Sequence, residues 1–158
     1  MSLLPFFQWC YQTAIGEAIR DSVWLFPVIE AFHLVGLGLT AGAVLIVDLR
    51  LLGAGLIKQP VARLAADVQP WLLGSLALMF TSGGLLFLAE AIKCYNSPAF
   101  WVKMTSLFLV LLFTFTVRRR VTLTNLAFDR PLLGRVTALI SLGLWFGVAW
   151  GGRWIGFS

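Results

Sequence analysis

The stretch SVWLFPVIEAFHLVGLGLTAGAVLIVDLRLL, residues 22–52, decides the class of fold. Its only charge before Asp48 is Glu30, and nothing from Ala31 to Val47 carries one. A helix rises about 1.5 Å per residue, so roughly 20 apolar residues cross a hydrocarbon core of about 30 Å. This run exceeds that length and has room to tilt or protrude. Three more runs resemble it: Trp71–Ala89 and Val136–Gly152 without charge, and Pro98–Val117 with Lys103 alone. Within lipid each span must satisfy its own backbone hydrogen bonds, which makes all four helices.

Composition agrees. The chain of 158 residues is 59% hydrophobic and 12% charged, with a mean hydropathy of +0.90. Soluble domains run about 45–50% apolar and about 25% charged. Disorder, a collagen-like fibre and a disulfide scaffold are excluded. Cys10 and Cys94 match no metal-finger spacing and stand either as free thiols or as one disulfide. A net charge of +5 would suggest nucleic acid in a soluble domain. Here the basic residues lie between apolar runs, so the bilayer is the partner and nucleic acid is not.

Lys and Arg set the orientation. With the N-terminus outside, eight basic residues face the cytoplasm: Arg50, Lys58, Arg63, Arg118, Arg119, Arg120, Arg130 and Arg135. Four lie outside: Arg20, Lys93, Lys103 and Arg153. The split predicts both termini on the periplasmic side of a bacterial inner membrane, anchored most strongly by the Arg118–Arg120 triplet. Leu4, Phe7, Tyr11, Ile15 and Ala18 recur at helical spacing and predict an amphipathic interfacial helix over 3–20. Trp9, Trp24, Trp101, Trp150 and Trp154 map to that same level, as an aromatic belt would. The fold class is therefore an all-α integral membrane protein, a four-transmembrane-helix bundle with an N-terminal interfacial helix. It forms one domain over 1–158, with spans near 22–52, 70–93, 98–118 and 133–153. Residues 56–67 read as a loop, and Pro70 as the opening of the second helix.

Ionisable groups inside a span are costly and are functional candidates by default. Glu30, Glu90 and Lys103, on three different spans, fall in the outer half. They form either a polar pocket or ion pairs of Lys103 with Glu30 or Glu90. His33, the only histidine, lies roughly 15 Å down at helical rise. Gly36, Gly38 and Gly42 follow it, and Ser82, Gly83 and Gly84 lie at a similar depth on the second span. Such small residues serve close helix packing, as in the GxxxG of Gly38 and Gly42, or leave space for a flat macrocycle. His33 is then a hydrogen-bonded structural residue or a haem-iron ligand, with Met104 a candidate for the opposite axial position. A softer set, Cys10, Cys94, Met104 and His33, would suit copper(I). No Walker loop, GxGxxG, GxSxG or HExxH occurs. Asp48 reads as an interfacial ion-pair partner of the inner basic residues.

The run SVWLFPVIEAFHLVGLGLTAGAVLIVDLRLLG (22–53) and the later SPAFWVK (97–103) resemble a family of uncharacterised bacterial four-helix inner-membrane proteins. More remotely the pattern is similar to CopD-like copper-resistance proteins and to the haem-b membrane protoporphyrinogen oxidases. That resemblance implies roles for a histidine in an early span and a lysine at the start of a later one, here His33 and Lys103. It also implies a histidine near the end of the third span, where FTFTVRRR (113–120) has none. The reading is a small membrane protein binding haem b through His33 in a redox or electron-transfer role. Gly83 and Gly84 would pack on the macrocycle, and Glu30, Glu90 and Lys103 would hold propionates or gate protons. The alternatives are an accessory or scaffold subunit of a larger membrane complex or homo-oligomer, and a small channel or carrier.

Overall fold

The computed structural model describes residues 3–56, 58–124 and 126–155; the outermost residues of the single-domain reading of 1–158 lie outside it. The described residues are helical throughout, without strands. Two short helices, α1 (Leu4–Tyr11) and α2 (Ala14–Asp21), precede the long α3 (Leu25–Leu52) and α4 (Val61–Asn96). α5 (Pro98–Phe113) runs through a π-helical turn, Thr114–Arg118, into α6 (Arg119–Leu123). α7 (Leu126–Asp129) leads to α8 (Pro131–Ile155). Four helices are long and apolar enough to cross a membrane: Leu25–Leu52, Val61–Asn96, Pro98–Leu123 and Pro131–Ile155.

Local chemistry explains the boundaries. α3 ends at Gly53, whose φ of +80° only glycine adopts freely, and Ala54 N–H closes the cap on the Leu49 carbonyl at 2.9 Å. Ser97, held extended because a proline follows it, is the whole connection between α4 and α5. Pro98 then starts α5, where a missing N–H costs little.

Two expectations change. The single helix over 3–20 is broken at Gln12–Thr13. The Thr13 hydroxyl donates to the Cys10 carbonyl at 2.8 Å and accepts from Gly16 N–H at 3.2 Å, ending α1 and capping α2. Nor does this segment merely lie on an interface, since Phe7, Cys10, Gly16 and Ile19 are buried. The second helix starts at Val61, so most of the expected loop 56–67 is helical and Pro70 sits inside the helix. Leu64 explains this, being buried against Val47, Leu51 and Ala138.

α4 packs on α3, and α5 packs on α8. All termini-bearing ends gather at one end of the bundle, where Phe7 meets Phe87, Phe100 and Trp101. The arginine-rich turn lies at the other. α4 kinks at Glu90 (φ −119°, ψ 26°), and Arg20 donates to the Leu88 and Ala89 carbonyls next to the kink. Gly16 permits that approach, because a Cβ there would stand 2.7 Å from the Leu88 carbonyl oxygen. The outward faces are apolar: Phe80, Phe108 and Phe146 are 53%, 68% and 71% exposed. Apolar patches on that scale suit lipid rather than water.

The α5–α8 contact gives a prediction. A Cβ on Gly151 would lie 3.1 Å from both the Ala99 carbonyl oxygen and the Lys103 nitrogen, which are backbone atoms. Gly151→Ala should therefore lose about 1–3 kcal/mol through overpacking. Gly143→Ala meets nothing within 4 Å and should be neutral or gain up to about 1 kcal/mol from helix propensity. Thermal unfolding in detergent distinguishes the two.

Candidate functional site

At the termini end α3, α4, α5 and α8 border a half-open cavity of about 530 Å³. That lies within the about 300–1,000 Å³ of small-molecule and cofactor sites. α1 roofs it with Phe6 and Phe7, and its walls are mainly aromatic and aliphatic, with Phe80, Phe87, Phe100 and Trp101 prominent. His33, Gly83, Gly84, Lys103 and Met104 all line it, brought together from three helices.

His33 sits about two turns into α3, half-buried. Its Nδ1 lies 2.9 Å from Ser82 Oγ, and Ser82 Oγ lies 2.6 Å from the Leu78 carbonyl oxygen. A hydroxyl has one proton, and Ser82 gives it to Leu78, so it accepts from His33. That arrangement favours the tautomer with the imidazole proton on Nδ1. The ring lines the cavity and also lies within hydrogen-bond reach of the Met79 backbone. A hydrogen bond that fixes the ring through one nitrogen is a feature that metal-binding histidines share.

The two glycines differ. A Cβ on Gly83 would stand 3.1 Å from His33 Cε1, so Gly83 makes room for the imidazole itself rather than for a macrocycle. Gly84 meets nothing within 4 Å and presents open space to the cavity.

Lys103 makes no ion pair among the described residues, and neither Glu30 nor Glu90 lines the cavity. Glu30 is exposed, and Glu90 lies at the α4 kink. The polar pocket and the ion pairs expected of these three residues are thus not assembled. The Lys103 stem runs instead along Gly152, with Nζ 3.7 Å from where a Cβ would be, towards the termini end. That is the path of a snorkelling lysine. Gly151 and Gly152 were missed in the sequence, where they looked like the ordinary end of a span. Ser82 stood in plain view beside the glycines, yet its tie to His33 needed the relative rotation of α3 and α4.

The soft-ligand set is not assembled either. Cys10 and Cys94 are buried free thiols in one apolar cluster with Phe7 and Ala91, and neither lines the cavity. Burial pushes the Cys10 thiol up. Among the described residues no three His, Cys, Asp or Glu side chains group to hold a metal ion. A haem needs only one such donor.

Asp48 does pair with a basic residue, as expected, but inside the bundle rather than at an interface. Its Oδ1 accepts from Arg118 Nε at 2.9 Å, and Asp48 is 0% exposed. Arg118 is turned inward, unlike the exposed Arg119 and Arg120 of the same triplet.

The sequence model of a family of unknown function (DUF6644) matches residues 6–158. The chain belongs to this family. The DUF6644 match spans all four long helices and every cavity-lining residue of α3, α4, α5 and α8. No curated protein and no solved structure is significantly similar to the chain, so nothing found carries the remoter likeness to CopD-like proteins or haem-b oxidases.

Proposed function

We propose that this DUF6644 protein spans a bacterial inner membrane and binds one b-type haem in the cavity, as an electron-transfer component. Its termini face the periplasm in this reading, which the eight basic residues towards the other end support. The observation that carries the haem reading is the imidazole of His33 on the wall of an apolar cavity of cofactor size, on a ring held through Nδ1 by Ser82. Gly84 leaves the facing wall open, and the aromatic lining suits the apolar body of a macrocycle. Lys103, unpaired and directed to the termini end, is placed to attract a carboxylate such as a propionate. Met104, on the α5 wall, would be the candidate second ligand. Bound there, haem supplies a one-electron carrier; the protein holds it, orients it and keeps water away.

The test is the absorption spectrum and iron content of the full chain purified from haem-replete cells. A Soret band with about one haem per chain supports the reading, on the one-site geometry of the cavity. A well-folded, colourless and iron-free preparation overturns it. Gly83→Ala should weaken haem retention by pushing the His33 ring, whereas Gly84→Ala should retain haem.

One observation favours a second reading, an assembly through the GxxxG face. Gly38 and Gly42 meet nothing within 4 Å, so no helix among the described residues uses that face for close packing. A detergent-corrected mass equal to one chain would count against it.

A further inference from the structure

The cavity has one side that the helices do not close. α4 packs on α3, α3 on α8 and α8 on α5, but α4 and α5, joined through Ser97 alone, hardly touch. The residues that border the cavity along that seam repeat at helical spacing: Phe80, Gly84 and Phe87 on α4, and Phe100, Met104 and Leu107 on α5. Phe87 and Phe100 close the seam at the termini end, stacked with ring centroids 5.7 Å apart. Towards the arginine end, Leu111 of α5 packs on the cluster that holds Leu72 and Leu76 of α4. From Leu76 to Phe87, and from Phe100 to Leu111, each helix rises about 16 Å. In that interval Phe80 and Met104 line the cavity and are exposed. Gly84 between them leaves open space where a side chain would stand.

The way in from the termini end is better covered. α1 lies over it, with buried Phe7 against Phe87, Phe100 and Trp101, and Arg20 ties α2 to the Leu88 and Ala89 carbonyls. The seam opens instead at mid-helix, within the two apolar segments Val61–Asn96 and Pro98–Leu123, at the depth of hydrocarbon. A strongly hydrated solute would lose its water there without gaining a hydrogen bond, because the frame is apolar. A molecule already dissolved in lipid loses nothing. Lys103, on the cavity wall behind the frame, adds one cationic group. We propose that the cavity opens sideways to the bilayer through a window between α4 and α5, and that its ligand, a membrane-dissolved amphiphile with an acidic end, enters and leaves through lipid rather than from water. The identity of that ligand as haem rests on the reading above; the window does not.

The test uses the full chain in lipid vesicles. A nitroxide is attached at Gly84→Cys in a Cys10→Ala, Cys94→Ala background, and its collisions with oxygen, which concentrates in lipid, and with a water-soluble nickel chelate are measured by EPR. The same label at Phe108→Cys, on the exposed face of α5, sets the value for open lipid. At position 84 the label should meet oxygen nearly as often as at 108 and should hardly meet nickel. Frequent nickel collisions, or none with either, overturn the window. If the Gly84→Cys protein does not fold, Leu107→Cys on the opposite frame gives the same reading. The route is tested by haem uptake into apoprotein in vesicles. Phe80→Ala, which widens the window, should quicken uptake several-fold, and Phe6→Ala, which thins the roof, should not. Faster uptake in Phe6→Ala alone, or an unchanged rate in Phe80→Ala, overturns entry from lipid. If no variant and no wild-type chain takes up haem, the haem reading falls and the EPR result alone decides the window.

Discussion

His33→Ala is expected to yield a folded protein whose haem content falls from about one per chain to background, with loss of the Soret band. His33 would supply the one nitrogen donor to a haem on the α3–α4 side, where the wall is otherwise largely aromatic and aliphatic. Folding should survive, since the imidazole makes one side-chain hydrogen bond, to a serine already donating to its own helix. His33→Gln controls for that bond: its amide N–H can still reach Ser82, so the variant should fold like the wild type and still lack haem. Ser82→Ala separates the two nitrogens. It removes the acceptor behind Nδ1 and leaves Nε2 in place, so haem should bind about 10–100-fold more weakly rather than not at all. Haem titration of the apoprotein, read at the Soret band, gives all three values. If His33→Gln retains a wild-type haem complement, the ligand assignment is lost.

The four long apolar helices were legible because length and apolarity act along the helix axis. His33, Gly83, Gly84, Lys103 and Met104, picked out in the sequence by residue type and depth, line one cavity. Rotation about the axis was not legible. In a soluble helix the apolar stripe marks the inner face, but a membrane helix is apolar towards lipid as well. Glu30 thus has nearly the level expected of a partner for Lys103, yet it faces outward. Glu90 was misplaced for a different reason, since the α4 backbone departs from helical geometry at that residue. Asp48 and Arg118 are one turn inside the ends of their spans, where sequence alone does not separate an interfacial pair from a buried one. The break at Thr13 was missed because apolar periodicity continues across it, while the threonine cap acts locally.

Asp48→Ala should produce a large loss of stability, about 3–5 kcal/mol, the range for removing one partner of a buried ion pair. Asp48 is 0% exposed and Arg118 6%, so the arginine left behind would be a largely buried charge without its partner. Arg118→Ala should cost a similar amount by stranding the carboxylate. Replacing both with apolar residues, Asp48→Leu with Arg118→Met, should recover most of the loss, because no charge remains buried. A strongly non-additive cycle is therefore expected, read from reversible unfolding in mixed micelles. Arg119→Ala is the matched control: it lies next in sequence, is exposed, and should change stability by less than about 0.5 kcal/mol. If Asp48→Ala and Arg119→Ala were equally mild, the pair would be open to water or headgroups. That would also remove the physical reason for Arg118 to turn inward at the π-helical turn.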